Sequence, residues 1–179
     1  MPRKDTAIEK RAKLIIKYRN MKVTKKEKDG DLIIYHLTKG DRRSIMQCVC
    51  NQRNVGIAFV RDLKKLLDET ETENGILLTD SKFTWSARHN APRLDVELIP
   101  STIPTFDIFN HKLVPPAVLL SKEEGRAVLE KYHAEPYQFP WMKSKDPISI
   151  ILGAKSGDIV RFTLESITAG TSVKYRYVT

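Results

Sequence analysis

The sequence has no long hydrophobic run. No segment approaches the roughly 20 consecutive apolar residues that a membrane-spanning helix needs. The first residues, Met1 to Lys4, are basic, but no hydrophobic stretch of the signal-peptide type follows them. We therefore expect no membrane partner, and a protein that stays in the compartment where it is made.

Cysteine is scarce, with only Cys48 and Cys50 in 179 residues. They are one residue apart in a predicted strand, so their side chains point to opposite faces and cannot easily form a disulfide. No second pair is present to complete a zinc site, and there is no C-x-x-C redox motif. We expect two small core residues in a reducing cell interior, with no metal site and no cofactor.

Common catalytic motifs are missing as well. The four histidines do not have H-x-x-x-H or H-E-x-x-H spacing, no serine lies in a G-x-S-x-G context, and there is no Walker A loop. The run from Gly153 to Gly157 has suitable residues for a phosphate loop, but it lies between a short predicted helix and a strand, which is the wrong order. We predict no catalytic residue.

Positive charge is abundant and unevenly distributed. The net charge is +9, and the first 28 residues hold 11 Lys and Arg against 3 Asp and Glu. Residues 1–100 hold 21 against 14, whereas residues 101–179 hold 10 against 8. Such a basic region favours a polyanionic partner, either nucleic acid or an acidic protein, although a solvated helix surface would show the same pattern.

Apolar residues recur at helical spacing from Asp5 to Tyr18, which predicts an amphipathic helix with a basic outer face. A helix of this kind could lie on a membrane surface, but its apolar side lacks bulky aromatic anchors and is better suited to packing on a sheet. The candidate DNA-contacting residues are Lys10, Arg11, Lys13, Lys17 and Arg19.

The next eighty residues predict an α/β sandwich. The pattern indicates strands over residues 32–37, 44–50, 54–59, 75–79 and 96–99, helices over 61–69 and 85–88, and a polar turn over 25–30. The run from Gly75 to Thr79 is almost wholly apolar, as expected for a central strand that is covered on both faces.

The C-terminal part contains two helix starts and a hairpin. Ser121 and Glu124 form an S-x-x-E capping box for a helix to about Tyr132. Its expected buried positions are Ala127, Val128, Leu129 and Tyr132. Asp146 and Pro147 suit the start of a short helix that Gly153 ends. Period-2 patterns after residues 156–158 and 168–171 predict a final β-hairpin.

Four phrases occur in a fixed order over the last seventy or so residues. They are His111-Lys112-Leu113-Val114-Pro115; Asp146-Pro147-Ile148 closing on Leu152-Gly153; Gly157-Asp158-Ile159-Val160; and Thr168-Ala169-Gly170 leading to Tyr175-Arg176-Tyr177-Val178. This order resembles the C-terminal assembly module of the H-type small subunit of archaeal RNA polymerase, a module that also ends the fifth-largest subunit of the eukaryotic nuclear RNA polymerases.

The resemblance implies a small mixed α/β domain that docks on the largest polymerase subunit, with a hairpin that presents a sheet face or edge. The implied interface residues are His111, Val114, Pro115, Pro147, Gly153, Gly157, Asp158, Thr168, Ala169, Gly170, Tyr175 and Arg176. His111 is expected to make a buried hydrogen bond that fixes the linker.

The N-terminal half resembles the restriction-endonuclease-like fold. Asp31, with Asp29 nearby, precedes Gln47-Cys48-Val49, and the segment from Gly75 to Thr84 with Ala87 has the form G-I-x-x-T-x-x-x-F-T-x-x-A. The jaw domain of the eukaryotic polymerase subunit shares this fold. The expected organisation is therefore an α+β two-domain chain, with a restriction-endonuclease-like α/β jaw domain over residues 1–100, a linker over 101–110 and the assembly domain over 111–179.

A nuclease of this fold needs two acidic groups to hold a divalent metal and a lysine to orient the attacking water. The lysine position here is Val49, and Gln47 stands in place of the second acid. We interpret the domain as a scaffold that kept the fold and lost the reaction. Residual metal binding at Asp29 and Asp31 stays open.

The resemblance therefore implies a non-catalytic subunit of a multisubunit DNA-directed RNA polymerase. Its expected partners are the largest subunit, neighbouring small subunits and downstream double-stranded DNA. The alternatives are a metal-dependent nuclease and a free-standing nucleic-acid-binding regulator. The expected location is cytoplasmic in an archaeon, nuclear in a eukaryote, and the virion or host cytoplasm for a virus.

Overall fold

The computed structural model describes residues 6–166 and 170–179. The chain divides into two compact units, Met1–Phe106 and Asp107–Thr179. Among the described residues, no helix is both long enough and apolar enough to span a bilayer.

The first unit is a mixed five-stranded sheet with helices on both faces. Its elements are α1 (Ala7–Tyr18), β1 (Lys22–Asp29), β2 (Leu32–Lys39), β3 (Arg42–Val49), β4 (Asn54–Val55), α2 (Ile57–Glu69), β5 (Asn74–Thr79), β6 (Lys82–Phe83), α3 (Trp85–Asn90) and β7 (Val96–Ile99). The sheet order is β1-β2-β3-β5-β7, and β4 pairs with β6. Strands β1 to β3 are antiparallel, whereas β3, β5 and β7 are parallel.

Successive side chains of β3 point to opposite faces of the sheet, so that one set packs against α2 and the other lies on the face of α1. Ile45 and Val49 belong to a buried cluster that includes Val60 and Leu63 of α2. Met46 and Cys48 are also fully buried, and they point to the opposite face, on which α1 packs. Strand β3 is therefore covered on both sides.

Helix α1 begins at Ala7, two residues after the predicted start at Asp5, and ends at Tyr18 as predicted. The Thr6 hydroxyl accepts a hydrogen bond from the Glu9 backbone N–H, and the Glu9 carboxylate accepts one from the Thr6 N–H, which forms a capping box. Ile8, Ala12 and Ile15 are fully buried. The predicted amphipathic helix is confirmed.

The prediction of a polar turn over residues 25–30 is wrong, because most of this segment lies in β1. This strand pairs antiparallel with β2, with a register shift between Val23 and Lys25. It lies at the edge of the sheet, and nearly all of its side chains are exposed. An edge strand exposed on both faces shows no alternation of apolar and polar residues, so the period-2 pattern that marks a strand is absent.

The segment predicted as a strand over residues 54–59 is also largely wrong. Only Asn54 and Val55 are in a strand, and α2 starts at Ile57. Helix α2 packs closely on β5 at Gly75, where a Cβ would lie 2.7 Å from the Leu67 Cδ1 atom. The other predicted elements of this unit are found at nearly the expected positions.

The second unit is a smaller mixed sheet with two helices. Its elements are β8 (Ala117–Leu119), α4 (Lys122–Tyr132), β9 (Trp141–Met142), α5 (Pro147–Leu152), β10 (Ile159–Ser166) and β11 (Gly170–Val178). The sheet order is β8-β10-β11-β9. Strands β10 and β11 form the predicted hairpin, and β9 runs parallel to the end of β11.

Helix α4 begins at the predicted capping box of Ser121 and Glu124 and ends at Tyr132. Its expected buried face is wrong. Ala127 and Tyr132 are exposed, Val128 and Leu129 are half-buried, and the fully buried position is Gly125, which lies against Ile159 of β10. Because glycine has no side chain, a hydrophobic pattern cannot identify it as the contact residue.

Helix α5 has the predicted caps. The Asp146 carboxylate accepts a hydrogen bond from the Ile148 N–H at 2.9 Å, and Pro147 occupies the first turn. Gly153 ends the helix with φ 75°, a conformation that favours glycine.

Candidate nucleic-acid face and subunit interface

Three of the five predicted DNA-contacting residues lie together on the outer side of α1. Lys10, Lys13 and Lys17 are exposed, and their spacing places them on one helix face. The ammonium group of Lys17 lies 4.9 Å from the centroid of the Tyr18 ring. The apolar side of α1 packs against the sheet, so this row of lysines projects away from the sheet.

In the other two predicted contacts, Arg11 and Arg19, both guanidinium groups are engaged within the chain. Arg19 is 7% exposed and donates two hydrogen bonds to the Glu97 carboxylate, at 2.7 and 2.6 Å. Arg11 forms an ion pair with Asp80, and its Nε donates to the Ile103 carbonyl at 2.6 Å. Paired hydrogen bonds of this kind fix a guanidinium in place.

Strand β1 adds basic residues that sequence reasoning missed. Lys26 and Lys28 lie opposite Tyr35 and Ile33, on the sheet face covered by α1. Lys26 Nζ lies 2.8 Å from the Glu9 carboxylate, which connects β1 to α1. The contact with Lys26 and, after it, the hydrogen bonds from Thr6 lower the pKa of Glu9 to about 2, and the Glu9 carboxylate raises the pKa of Lys26. Lys28 thus adds an exposed positive charge beside α1, whereas Lys26 is paired with Glu9 within the chain.

The first unit also contains the positions at which a nuclease of this fold holds its metal. Asp31 is exposed at the turn before β2, and its Oδ1 accepts a hydrogen bond from the Asn51 side-chain amide at 2.9 Å. Gln47 is only 4% exposed, and its Oε1 has no hydrogen-bond partner among the described residues. Within those residues, no group of three His, Cys, Asp or Glu side chains could hold a metal ion.

Val49 occupies the lysine position and is integrated into the core. Its side chain is 1% exposed in the cluster beneath α2, and its carbonyl accepts a hydrogen bond from the Thr79 hydroxyl. An isopropyl group can neither donate a proton nor orient water. The arrangement of Asp31, Gln47 and Val49 therefore offers one exposed carboxylate and no group that could activate a nucleophile.

Both cysteines are free thiols. Burial raises the pKa of the Cys48 thiol far above its usual range. The pKa of half-buried Cys50 is also raised, first by burial and then by the nearby Asp80 and Asp31 carboxylates. A thiol with a raised pKa is a poor nucleophile at neutral pH, which agrees with the predicted packing role.

In the second unit, several predicted interface residues shape the turn before β10. The Asp158 carboxylate accepts a hydrogen bond from the Lys155 N–H at 2.7 Å, and Gly157 has φ 99° while its N–H donates to the Val178 carbonyl. Pro147 and Gly153 start and end α5, as described above. Thr168 and Ala169 lie outside the described residues, and Gly170 begins β11 with φ 66°.

His111 is exposed rather than buried, which corrects the expectation of a buried hydrogen bond. Its Nδ1 accepts a hydrogen bond from the Leu113 N–H at 3.2 Å, and its carbonyl accepts one from the Val114 N–H. Val114 and Pro115 are half-buried. The contact is a local turn that positions the chain before β8.

Tyr175 belongs to an aromatic cluster that sequence reasoning did not assemble. Its ring centroid lies 5.8 Å from that of Tyr132 and 6.2 Å from that of Phe139. Arg176 points to the other side of the sheet, where its guanidinium carbon lies 5.4 Å from the centroid of the Phe162 ring. The cluster joins residues that are up to 43 positions apart, so no local pattern could have indicated it.

Comparison with known proteins matches each unit to a different family. The family described as RNA polymerase Rpb5, C-terminal domain, matches residues 106–178. DNA-directed RNA polymerase subunit Rpo5 of Pyrococcus abyssi is 49% identical over 73 residues, which is 41% of this chain and 89% of that protein. The same subunit of Sulfolobus acidocaldarius is 43% identical over 72 residues, or 40% of this chain and 86% of that protein. The subunit of Thermofilum pendens is 44% identical over 73 residues, which is 41% of this chain and 91% of that protein.

The family described as Restriction endonuclease matches residues 11–102, just over half of the chain. A solved structure of EndoMS in apo form is similar with a TM-score of 0.40 and 19% identity, over 54% of this chain and 47% of that one. The chain therefore spans about half the length of that protein, and a likeness this low carries no argument. The two family matches confirm the predicted α+β organisation, with a restriction-endonuclease-like N-terminal part.

Proposed function

The chain belongs to the family of DNA-directed RNA polymerase subunit Rpo5, with a domain of the restriction endonuclease family before the shared region, and we propose that it is a non-catalytic subunit of a multisubunit DNA-directed RNA polymerase. The observation that carries the proposal is the identity of 49% over 89% of the Pyrococcus abyssi subunit. An identity this high over nearly a whole relative supports the same role for the shared domain.

In the proposed role, the second unit docks on the largest subunit and contacts neighbouring small subunits. Its phrases supply caps and turns that fix the hairpin and the chain before β8, while its aromatic cluster remains partly exposed. Exposed aromatic residues are enriched where proteins bind one another. Because the matched relatives come from Pyrococcus, Sulfolobus and Thermofilum, we place the complex in an archaeal cytoplasm.

The first unit, in the same role, contacts downstream double-stranded DNA. The lysines of α1 would bind phosphates without reading sequence, and this binding would weaken as salt is added. This unit would cleave no DNA, because Val49 and Gln47 replace groups that a nuclease of this fold needs, and polymerisation would belong to the large subunits.

Co-purification tests the polymerase assignment. We expect the full chain, tagged in its native host, to purify with the large polymerase subunits at a fixed stoichiometry, visible in the native mass of the complex. A chain that purifies alone, or in a complex without those subunits, would contradict the proposal and favour the free-standing regulator.

Charge neutralisation tests the DNA face. We expect Lys10→Gln, Lys13→Gln and Lys17→Gln together to weaken retention of duplex DNA and to lower the salt slope by roughly one for each phosphate that is no longer neutralised. The matched control changes Arg61, Lys65 and Lys82 to Gln, which removes the same charge from exposed positions elsewhere in the unit. Equal slopes for the two triple variants would show that net charge, and not the α1 face, accounts for binding.

A further inference from the structure

Trp85 is the most exposed large apolar side chain that the structure describes in the first unit, at 76% exposure. The two others, Val23 and Phe106, lie on the edge strand β1 and at the last position of the unit. A protein interface needs a contiguous apolar patch, whereas one exposed ring among polar residues offers a partner little more than its flat face. Such a ring matches a ligand that is itself a flat ring.

The indole of Trp85 is held parallel to the imidazole of His89. The two ring centroids are 5.0 Å apart, and the ring planes differ by 7°. The two residues are four positions apart in α3, so they occupy one face of the helix. Because the imidazole covers one face of this exposed indole, the other face is in solvent. A second ring can stack there without first ordering the indole, which removes an entropic cost of binding.

Backbone contacts fix the position of this ring pair. Trp85 is the first residue of α3, and the Thr84 hydroxyl caps the helix. The Thr84 N–H donates to the Val55 carbonyl at 3.0 Å, which ties the start of α3 to β4. The Arg88 guanidinium donates two hydrogen bonds to the Phe83 carbonyl, at 3.1 and 2.8 Å. The ring pair therefore stands on backbone that the fold holds in place.

The surroundings of the ring pair are positively charged. Strand β4 pairs with β6, which joins residues 51–61 to residues 81–94. The two segments contain no Asp or Glu and five basic residues, all of them exposed: Arg53, Arg61, Lys82, Arg88 and Arg93. Within the described part of the chain, none of the five forms an ion pair. A flat ring amid such charge matches nucleic acid, whose bases stack and whose phosphates are negative.

The ligand must present a base with a free face. In a duplex, each base is paired and stacked on its neighbours, so an indole can reach its face only if the base is first flipped out. In a single strand, bases can stack on aromatic side chains while basic residues follow the phosphates. The ring pair and its surrounding charges therefore fit an unpaired base.

We propose that Trp85, backed by His89, is a stacking platform for an unpaired nucleobase of single-stranded DNA or RNA, and that the surrounding arginines contact the adjacent phosphates. This binding goes beyond the proposed function, in which the lysines of α1 contact duplex DNA. It belongs to the chain whether or not the chain enters a polymerase.

Abasic DNA tests the stacking without any change to the site. In the full chain with Trp141→Phe, Trp85 is the one remaining tryptophan. We expect a short oligothymidylate to quench its fluorescence and to bind at least about tenfold more tightly than an abasic strand of the same length. Because both strands carry the same phosphates, equal affinities would overturn the proposal.

Substitution of the ring tests the residue. Trp85→Ala should bind the two strands with equal affinity, whereas Trp85→Phe keeps a smaller ring and should retain part of the preference for oligothymidylate. The matched control is Trp141→Ala, which removes an indole of 66% exposure from the second unit and should leave the preference unchanged. A Trp85→Ala variant with the full preference would refute the assignment. Thermal unfolding checks that each variant folds, and if Trp85→Ala does not, the two affinities of the unmodified chain decide.

Two further ligands define the class that binds. Relaxed circular duplex DNA, which has neither ends nor unpaired bases, should leave the fluorescence of Trp85 nearly unchanged, and quenching as strong as that by oligothymidylate would contradict the need for an unpaired base. Oligouridylate that binds as tightly as oligothymidylate would extend the platform to RNA, whereas weaker binding would restrict it to DNA.

The lysines of α1 provide a control for charge alone. Lys10→Gln, Lys13→Gln and Lys17→Gln together should weaken binding of the oligothymidylate and of the abasic strand by the same factor, because only phosphate contacts are lost. A triple variant that loses the preference between the two strands would assign the base contact to α1 and overturn the role of Trp85.

Discussion

The first unit buries two of the three positions at which a nuclease of its fold carries catalytic groups, whereas the second unit places its family's phrases at caps and turns. Val49 and Gln47 lie inside a sheet that is covered on both faces. Gly157 and Asp158 shape an exposed turn, and Asp146 and Gly153 bound a six-residue helix. The characteristic residues thus serve packing in one unit and local backbone geometry in the other.

This difference predicts how much stability each unit loses when a characteristic residue is substituted. A core position that has lost its reactive group is held by every side chain around it, so restoring the group has a cost in stability. A cap or turn is held by one or two hydrogen bonds, so its removal costs little stability, but it disturbs the surface that it positions.

The fluorescence of the two tryptophans can follow the unfolding of the two units separately, since Trp85 lies in the first unit and Trp141 in the second.

The largest effect is expected from Val49→Lys, which restores the residue type of an active nuclease. An ammonium buried without a partner should lower the free energy of unfolding of the first unit by about 3–5 kcal/mol. Denaturant unfolding followed by Trp85 fluorescence, in a Trp141→Phe background, measures this loss.

We also expect Val49→Lys to show no metal-dependent cleavage of plasmid DNA. Val49→Ile, which keeps the site apolar, is the matched control. Cleavage that requires Mg²⁺ and disappears when Asp31 is changed to Asn would instead support the nuclease alternative.

Two glycine substitutions should shift the units in opposite directions. The new methyl of Gly75→Ala would lie 2.7 Å from Leu67 Cδ1 and 3.3 Å from Leu63 Cδ2, so we expect a loss of about 1–3 kcal/mol in the first unit. In Gly125→Ala the methyl would lie 3.7 Å from Ile159, an ordinary contact, and alanine should stabilise α4 by about 0.5–1 kcal/mol. Thermal unfolding of each variant gives the sign, and losses in both would refute the packing difference.

Removal of one cap should have a smaller effect in the second unit. Asp146→Ala leaves the Ile148 N–H without its partner, and we expect a loss of about 1 kcal/mol, measured by Trp141 fluorescence in a Trp85→Phe background. Asp146→Asn keeps an oxygen that can accept this bond and should be nearly neutral. Equal losses for Ala and Asn would mean that the charge, and not the cap, stabilises α5.

The smallest effect is expected from Glu9→Gln, which keeps the capping box but removes the ion pair with Lys26. The unmodified chain should be more stable than the variant by under about 1 kcal/mol at neutral pH, because Lys26 is 42% exposed. The pKa of Glu9 is lower in the folded state, at about 2, than the ordinary 4.5. The advantage should therefore be complete above about pH 4.5 and lost as the pH falls toward 2.

Urea unfolding of both proteins between pH 2 and 7 measures this difference. The comparison of the two curves removes the contribution of the other carboxylates, which titrate in both proteins. A difference that stays constant down to pH 2 would show that the ion pair does not stabilise the fold.

Much of the architecture could be predicted from local sequence. The capping box at Ser121, the cap of α5 at Asp146 and the terminal hairpin appear as expected, since each depends on residues within a few positions of one another. The family of the second unit was also predicted from phrases whose residues are close in sequence. Lys10, Lys13 and Lys17 lie on the expected face of α1.

The candidate site depended more on tertiary structure. Lys28 lies on the basic surface because residues 22–29 form strand β1. The strand was not predicted, because side chains at an exposed sheet edge show no alternation of apolar and polar residues. The Arg19 guanidinium is buried away from that surface, because it donates hydrogen bonds to Glu97, which is 78 residues away in sequence. Neither the pairing of β1 with β2 nor the Arg19–Glu97 pair could be predicted from local sequence, because both depend on the tertiary structure.

The sequence by itself determined the caps of α4 and α5, the terminal hairpin and the family to which the chain belongs, because these depend on neighbouring residues and short phrases. Only the tertiary structure decided which charges are exposed on the face of α1 and which aromatic rings gather around Tyr175. The physical reason is that burial, ion pairing and strand pairing join residues from distant parts of the chain.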